Sequence, residues 1–122
     1  MNKGQGNSIA TGKAAEDLAL TFLIDKGLKL VERNYRSRGG EIDLIMEDNE
    51  MLIFVEVRYR KTNTHGSALE SITLKKQAKL ITCASHYLTQ KRINKPTRFD
   101  AIAVSPERDT LSIEWVPDAF RA

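Results

Sequence analysis

The chain has 122 residues, 41% apolar and 29% charged, with 3 Pro and 7 Gly, a profile expected of one globular domain over 1–122 and not of a fibrous or low-complexity chain. A single cysteine, Cys83, excludes an internal disulfide and a cysteine-built zinc site, and no apolar run approaches the roughly 18 residues of a membrane span, so a cytoplasmic protein away from membranes is expected. The net charge of +3 hides a segregation: Val57 to Arg98 holds ten Lys or Arg against one acid, Glu70, while the rest of the chain holds nine bases and fifteen acids.

Met1 to Thr11 is polar, lacks the apolar stretch of a secretory leader and reads as a flexible lead-in. From Lys13 to Lys26, Ala15, Leu18, Ala19, Phe22 and Leu23 recur at helical spacing, and Gly27 supplies a residue that can end the helix. Leu28 to Tyr35 reads as a short strand, Ser37-Arg38-Gly39-Gly40 as a turn, and Glu41 to Met46 as a second strand. Glu47-Asp48-Asn49-Glu50 then reverses the chain into Met51 to Arg58, whose apolar run is too long for a sheet edge. This hairpin is therefore placed at the centre of the sheet.

Arg60 to Gly66 is polar and read as a mobile loop. A second helix is expected from Thr73 to Thr89, with Leu74, Ala78, Ile81, Ala84, Ser85 and Leu88 on one face and Lys75, Lys76 and Lys79 on the other. Pro96 leads into a strand from Arg98 to Val104, and Leu111, Ile113 and Trp115 alternate with polar residues in a last strand to Val116. The order α-β-β-β-α-β-β calls for an α/β layered domain, a mixed sheet of about five strands flanked by helices. The basic block containing the second helix suits a polyanion such as nucleic acid; a solvated helix face is the plainer alternative.

Two acids interrupt otherwise apolar strands. If the turn is symmetric about Asp48-Asn49, Asp43 pairs with Phe54 and Glu41 with Glu56, which sets Asp43 and Glu56 on one face as diagonal neighbours roughly 7–8 Å apart at the backbone. Carboxylates so placed can hold a hard divalent cation, Mg²⁺ or Mn²⁺, between them. Internal ion pairs, or edge positions open to water, would account for each acid singly. Arg58, two residues after Glu56, shares its face.

Gly40-Glu41-Ile42-Asp43-Leu44-Ile45, Phe54-Val55-Glu56-Val57-Arg58-Tyr59-Arg60 and Arg98-Phe99-Asp100, with Gly12 and Glu16 on the first helix, together resemble the bacterial YraN family from about Gly12 to Phe120. That family is placed in the restriction-endonuclease-like superfamily, known by its PD-(D/E)XK motif, and is similar to archaeal Holliday-junction resolvases. The resemblance implies a restriction-endonuclease-like fold, DNA as partner and metal-dependent phosphodiester cleavage. Asp43 and Glu56 would be catalytic metal ligands, Glu16 an additional helical ligand, and Arg58 would stand where the superfamily has lysine. Arginine stays protonated, so Arg58 can clamp a phosphate but not take a proton from water.

The resemblance also implies branched or structured DNA as substrate and a symmetric homodimer. Arg58, Arg60, Lys61, Lys75, Lys76 and Lys79 are the candidate nucleic-acid contacts, and Gln77, which interrupts the apolar stripe of the second helix, either faces the site or is a half-buried amide. Tyr59 stacks on a base or, more simply, packs at its strand end. His65 reads as a loop residue and His86 as helix surface. Two other readings stand beside the nuclease: a nucleic-acid-binding protein without turnover, and an interaction module whose acids form structural ion pairs.

Overall fold

The computed structural model describes residues 7–61 and 67–122. Its elements are α1 (Asn7–Asp25), β1 (Lys29–Ser37), β2 (Gly40–Asp48), β3 (Met51–Tyr59), a single 3₁₀ turn (Leu69–Ser71), α2 (Leu74–Lys91), β4 (Thr97–Glu107) and β5 (Thr110–Phe120). The order α-β-β-β-α-β-β is the expected one. Helix α1 starts at Asn7, within the expected lead-in; Gly12, a poor helix-interior residue, hides the earlier turns from a reading of the sequence. Met1 to Gly6, and Thr62 to Gly66 with His65, lie outside the described residues. At the other end of α1, Gly27 takes φ +98°, which lets Gly27 N–H bond Ile24 O at 2.9 Å and Leu28 N–H bond Leu23 O at 3.1 Å.

The strands form one sheet in the order β1-β2-β3-β4-β5, antiparallel except for the parallel β3–β4 pair. Parallel neighbours need a long crossover, and the loop with α2 provides it. Strand β3 is central. Leu52 through Glu56 are all buried because helices cover both faces: Leu80, Cys83, Ala84 and Tyr87 of α2 pack with Phe54 and Phe99 on one, and Ala15, Ala19 and Leu23 of α1 pack with Ile53 and Val55 on the other. No helix among the described residues is long and apolar enough to cross a membrane.

Helix α2 is rotated from the expected stripe. Leu74 is 82% exposed, and Ala78 and Ser85 face outward, whereas Leu80, Cys83, Ala84 and Tyr87 are buried. Ile81, Ala84 and Leu88 of the expected stripe still pack toward the core, so the rotation exchanges Leu74, Ala78 and Ser85 for Leu80, Cys83 and Tyr87, whose larger side chains remove more apolar surface from water. Thr73 caps the helix, its hydroxyl accepting Lys76 N–H at 3.1 Å.

The β2–β3 hairpin also departs from the expected register. Asp48 pairs with Met51, so Asn49 and Glu50 form the turn, and Phe54 lies opposite Ile45 instead of Asp43. Asn49 adopts φ +54°, a left-handed conformation that asparagine tolerates better than most residues. The slip is two residues, one full side-chain period, so within the paired stretch each residue keeps its face and only its partner changes.

Asp100 of β4 is fully buried and fully bonded. It accepts from Arg98 Nε at 2.9 Å and Nη2 at 3.1 Å, from Trp115 Nε1 at 2.9 Å and from Asp118 N–H at 2.9 Å. These bonds tie β4 to β5, whose ladder is irregular between Phe99 and Ala101. Asp100→Ala strands a guanidinium and two N–H groups, and is expected to destabilise the fold by about 3–5 kcal/mol in chemical denaturation. A loss below about 1 kcal/mol would show that water replaces the carboxylate.

Candidate active site

The site lies where the sheet comes apart. Leu44 and Val55 form the last β2–β3 pair, yet β2 stays paired with β1 as far as Gly40, and β3 stays paired with β4 as far as Tyr59. The two middle strands therefore diverge into a fork. One step beyond the last pair, the register sets Asp43 opposite Glu56, and Asp43 Oδ2 accepts the Val57 N–H at 2.8 Å. That side-chain bond satisfies a backbone donor that the interrupted ladder leaves without a carbonyl.

Burial, reinforced by the Glu56 carboxylate and more weakly by Glu16, pushes the Asp43 carboxyl up to about 8, against the opposing effect of the Val57 N–H. Burial also raises Glu56, while Lys76, the Asp43 hydrogen bond and Arg58 pull it back. The two carboxyls thus bear on each other's ionisation, and the charge of one opposes the ionisation of the other. Two cations converge on the same oxygen of Glu56: Arg58 Nη1 at 3.6 Å, from β3, and Lys76 Nζ at 3.8 Å, from α2.

Glu16 approaches from α1 but is engaged elsewhere. Its Oε1 accepts Arg33 Nη2 at 2.7 Å, Arg33 Nε at 3.2 Å and Asn34 Nδ2 at 3.2 Å. It lines, with Asn34, Glu41, Asp43, Val57 and Tyr59, a cavity of about 260 Å³ at the mouth of the fork. Among the described residues no three acids, histidines or cysteines are grouped closely enough to hold a metal ion. The expected three-acid cluster is thus not assembled, and the donor set the fold does assemble is the pair Asp43 and Glu56. That pair fits a hard divalent cation, which prefers carboxylate oxygens and favours the doubly ionised state that burial opposes.

The other candidates separate. Lys75 and Lys79 are exposed on α2, and Lys61 is exposed beyond β3. Arg60 bonds Ser105 Oγ at 3.3 Å and Glu114 Oε1 at 3.3 Å, so it also braces β4 and β5. Gln77 does not join the carboxylates; its amide donates to Ile72 O at 3.1 Å, just ahead of the helix. His86 is on the helix surface, as expected, with its Nδ1 2.8 Å from the Tyr35 hydroxyl. Arg33, Asn34 and Glu41 belong to the cavity or its support without having been singled out from the sequence. Glu41 sits in the motif already noted, two residues before Asp43; the pairing of Arg33 with Glu16 across 17 residues has no sequence signal.

An α/β domain with a half-buried and a buried carboxyl side by side at a break in its sheet, flanked by cations, is thereby defined. The chain belongs to the family described as Uncharacterised protein family UPF0102, whose model matches residues 15–104, and this is the YraN family that the motifs resemble. It is 52% identical over 112 residues to a UPF0102 protein of Nitrosococcus oceani, covering 90% of each chain. It is 48% identical over 114 residues to one of Hahella chejuensis, covering 93% of this chain and 91% of that one.

An acid whose native pKa lies above its unfolded value holds more protons folded than unfolded, so without a divalent cation stability falls as pH rises from 3.8 to about 8. Asp43→Asn removes the titrating charge and can still accept from Val57 N–H. In chelator it is expected to flatten this decline and to exceed the wild type at pH 8 by on the order of 2 kcal/mol. Denaturation at several pH values checks this, and an unchanged slope would show that Asp43 is not the titrating group.

Proposed function

We propose that this protein is a metal-dependent nuclease of the restriction-endonuclease-like superfamily, hydrolysing phosphodiester bonds in DNA, with branched or structured DNA as the preferred form. The observation that carries this reading is the close pair of half-buried Asp43 and buried Glu56, set at the sheet fork with Arg58 and Lys76 on one oxygen of Glu56. Such a pair is unfavourable as packing and useful as a cation site. Mg²⁺ or Mn²⁺ held by Asp43 and Glu56 would supply Lewis-acid charge at the phosphoryl group and make a bound water more acidic.

The chain's own residues do the rest. The Val57 N–H fixes the aim of Asp43. Arg58, 43% exposed at the side chain, can release Glu56 and grip a phosphate with its planar fork, stabilising charge without accepting a proton. Lys76, 36% exposed, adds a second cation from α2, and Lys75, Lys79 and Lys61 extend the positive surface along which a backbone would run. Cutting both strands of a branched duplex requires two such sites, so the reading brings with it a symmetric homodimer on the substrate. Arginine in place of lysine beside Glu56 favours one rival, a nucleic-acid-binding protein without turnover.

Single-turnover cutting of duplex, flapped and four-way DNA with Mg²⁺ or Mn²⁺ decides between them. Cutting by the wild type and at least a hundredfold loss in Glu56→Gln is expected; intact binding with no cutting of any substrate would leave the binder. Replacing Lys75, Lys76 and Lys79 by Ala is expected to lower the slope of log affinity against log salt by about 0.9 for each phosphate that is no longer neutralised. An unchanged slope would assign these lysines to solvent.

A further inference from the structure

Seven of the eight aromatic side chains pack against another ring: Phe22 with Trp115, and Tyr35, Phe54, Tyr87, Phe99 and Phe120 in a continuous series with centroids 4.9–6.0 Å apart. Tyr59 is the eighth. It meets no other ring among the described residues and is 37% exposed, the one aromatic among the exposed large apolar side chains. It stands at the end of β3 and lines the same cavity of about 260 Å³ as Glu16, Asn34, Glu41 and Asp43.

The surroundings limit what the ring can meet. Three carboxyl side chains line that cavity, which disfavours a phosphate but offers acceptors to the exocyclic amino groups and ring N–H of a nucleobase, with the Asn34 amide beside them. The cavity is large enough for one base. Alternation along β3 sends Tyr59 to the face of α1 and Arg58 to the opposite face, where α2 brings Lys76. A nucleotide whose phosphate meets Arg58 must then turn its base around the open edge of the fork to reach Tyr59. A base held in a continuous duplex cannot make that turn, whereas an unpaired one can.

We propose that Tyr59 is a stacking platform for one unpaired nucleobase, seated in the acidic cavity on the α1 side of the fork, and that the site engages single-stranded or flapped DNA through it. The proposal deepens the nuclease reading and rests on it. Aromatic stacking is sequence-tolerant, so the platform selects for an unpaired base more than for its identity.

The test measures binding in chelator, where no metal-dependent cutting occurs, using single-stranded, flapped and fully paired oligonucleotides that carry 2-aminopurine as the reporting base. The wild type and Tyr59→Phe are expected to quench the unpaired reporter and to prefer the flapped over the paired oligonucleotide. Tyr59→Ala and Tyr59→Leu should lose the quenching and bind the flapped form roughly tenfold more weakly, with affinity for the paired form unchanged. Unaltered melting temperatures would show that the fold is intact. DNA binding in which Tyr59→Ala matches the wild type in quenching and preference would overturn the platform and leave the nuclease reading standing. No binding to any of the three would overturn both.

Discussion

Holding a buried Glu56 against a half-buried Asp43 is the constraint around which this end of the molecule is arranged. Burial raises both carboxyls, and the Glu56 charge adds to the rise at Asp43, so two negative charges here call for compensating charge nearby. Each surrounding feature offsets part of that cost. Val57 lends a backbone N–H, Arg58 and Lys76 approach one oxygen of Glu56, and Arg33 engages Glu16, the third acid, so that its charge is partly neutralised beside Asp43. The break in the β2–β3 ladder follows the same logic, since it frees the Val57 donor and opens room between the strands.

Asp100 shows how a buried acid looks when its role is structural. Four hydrogen bonds saturate it, its cation grips both oxygens, and it lies on the ladder joining β4 and β5. Asp43 has one backbone donor and a like-charged neighbour, and the cations of its site touch Glu56 at 3.6 and 3.8 Å without a tight bidentate grip. The same residue type in the same sheet is locked in one place and left with exchangeable partners in the other. Exchangeable partners are what a binding site requires, because a ligand must displace them.

The fork also gives the site two chemically different sides. On the side of α1, the cavity is lined by carboxyl groups and the partly exposed Tyr59 ring; on the side of α2 stand the cations and, beyond them, the exposed lysines of the helix. Strand alternation alone produces this division, with Glu56 and Arg58 on one face of β3 and Val57 and Tyr59 on the other.

The sequence alone determined the element order and the membership of β3 in the sheet centre, because periodicity and an unbroken apolar run report burial directly. It also brought Asp43 and Glu56 close together on neighbouring strands, but did not settle their sides: beyond the last ladder pair Asp43 lines the α1-side cavity with Tyr59, while Glu56 stands with Arg58 and Lys76 on the α2 side. Two of the family motifs lie in these strands, the third in β4. Tertiary structure decided what depends on distant residues meeting. The stripe of α2 that faces inward was chosen by which side chains filled the space against Phe54 and Phe99, and Leu74 was left outside it. Glu16 was drawn to Arg33, and Lys76 to Glu56, across stretches of chain that no local pattern links. The parting of β2 from β3 beyond Leu44 and Val55 belongs to the same class, since each strand keeps its other neighbour while giving up this one, and only the assembled sheet can set those pairings against each other.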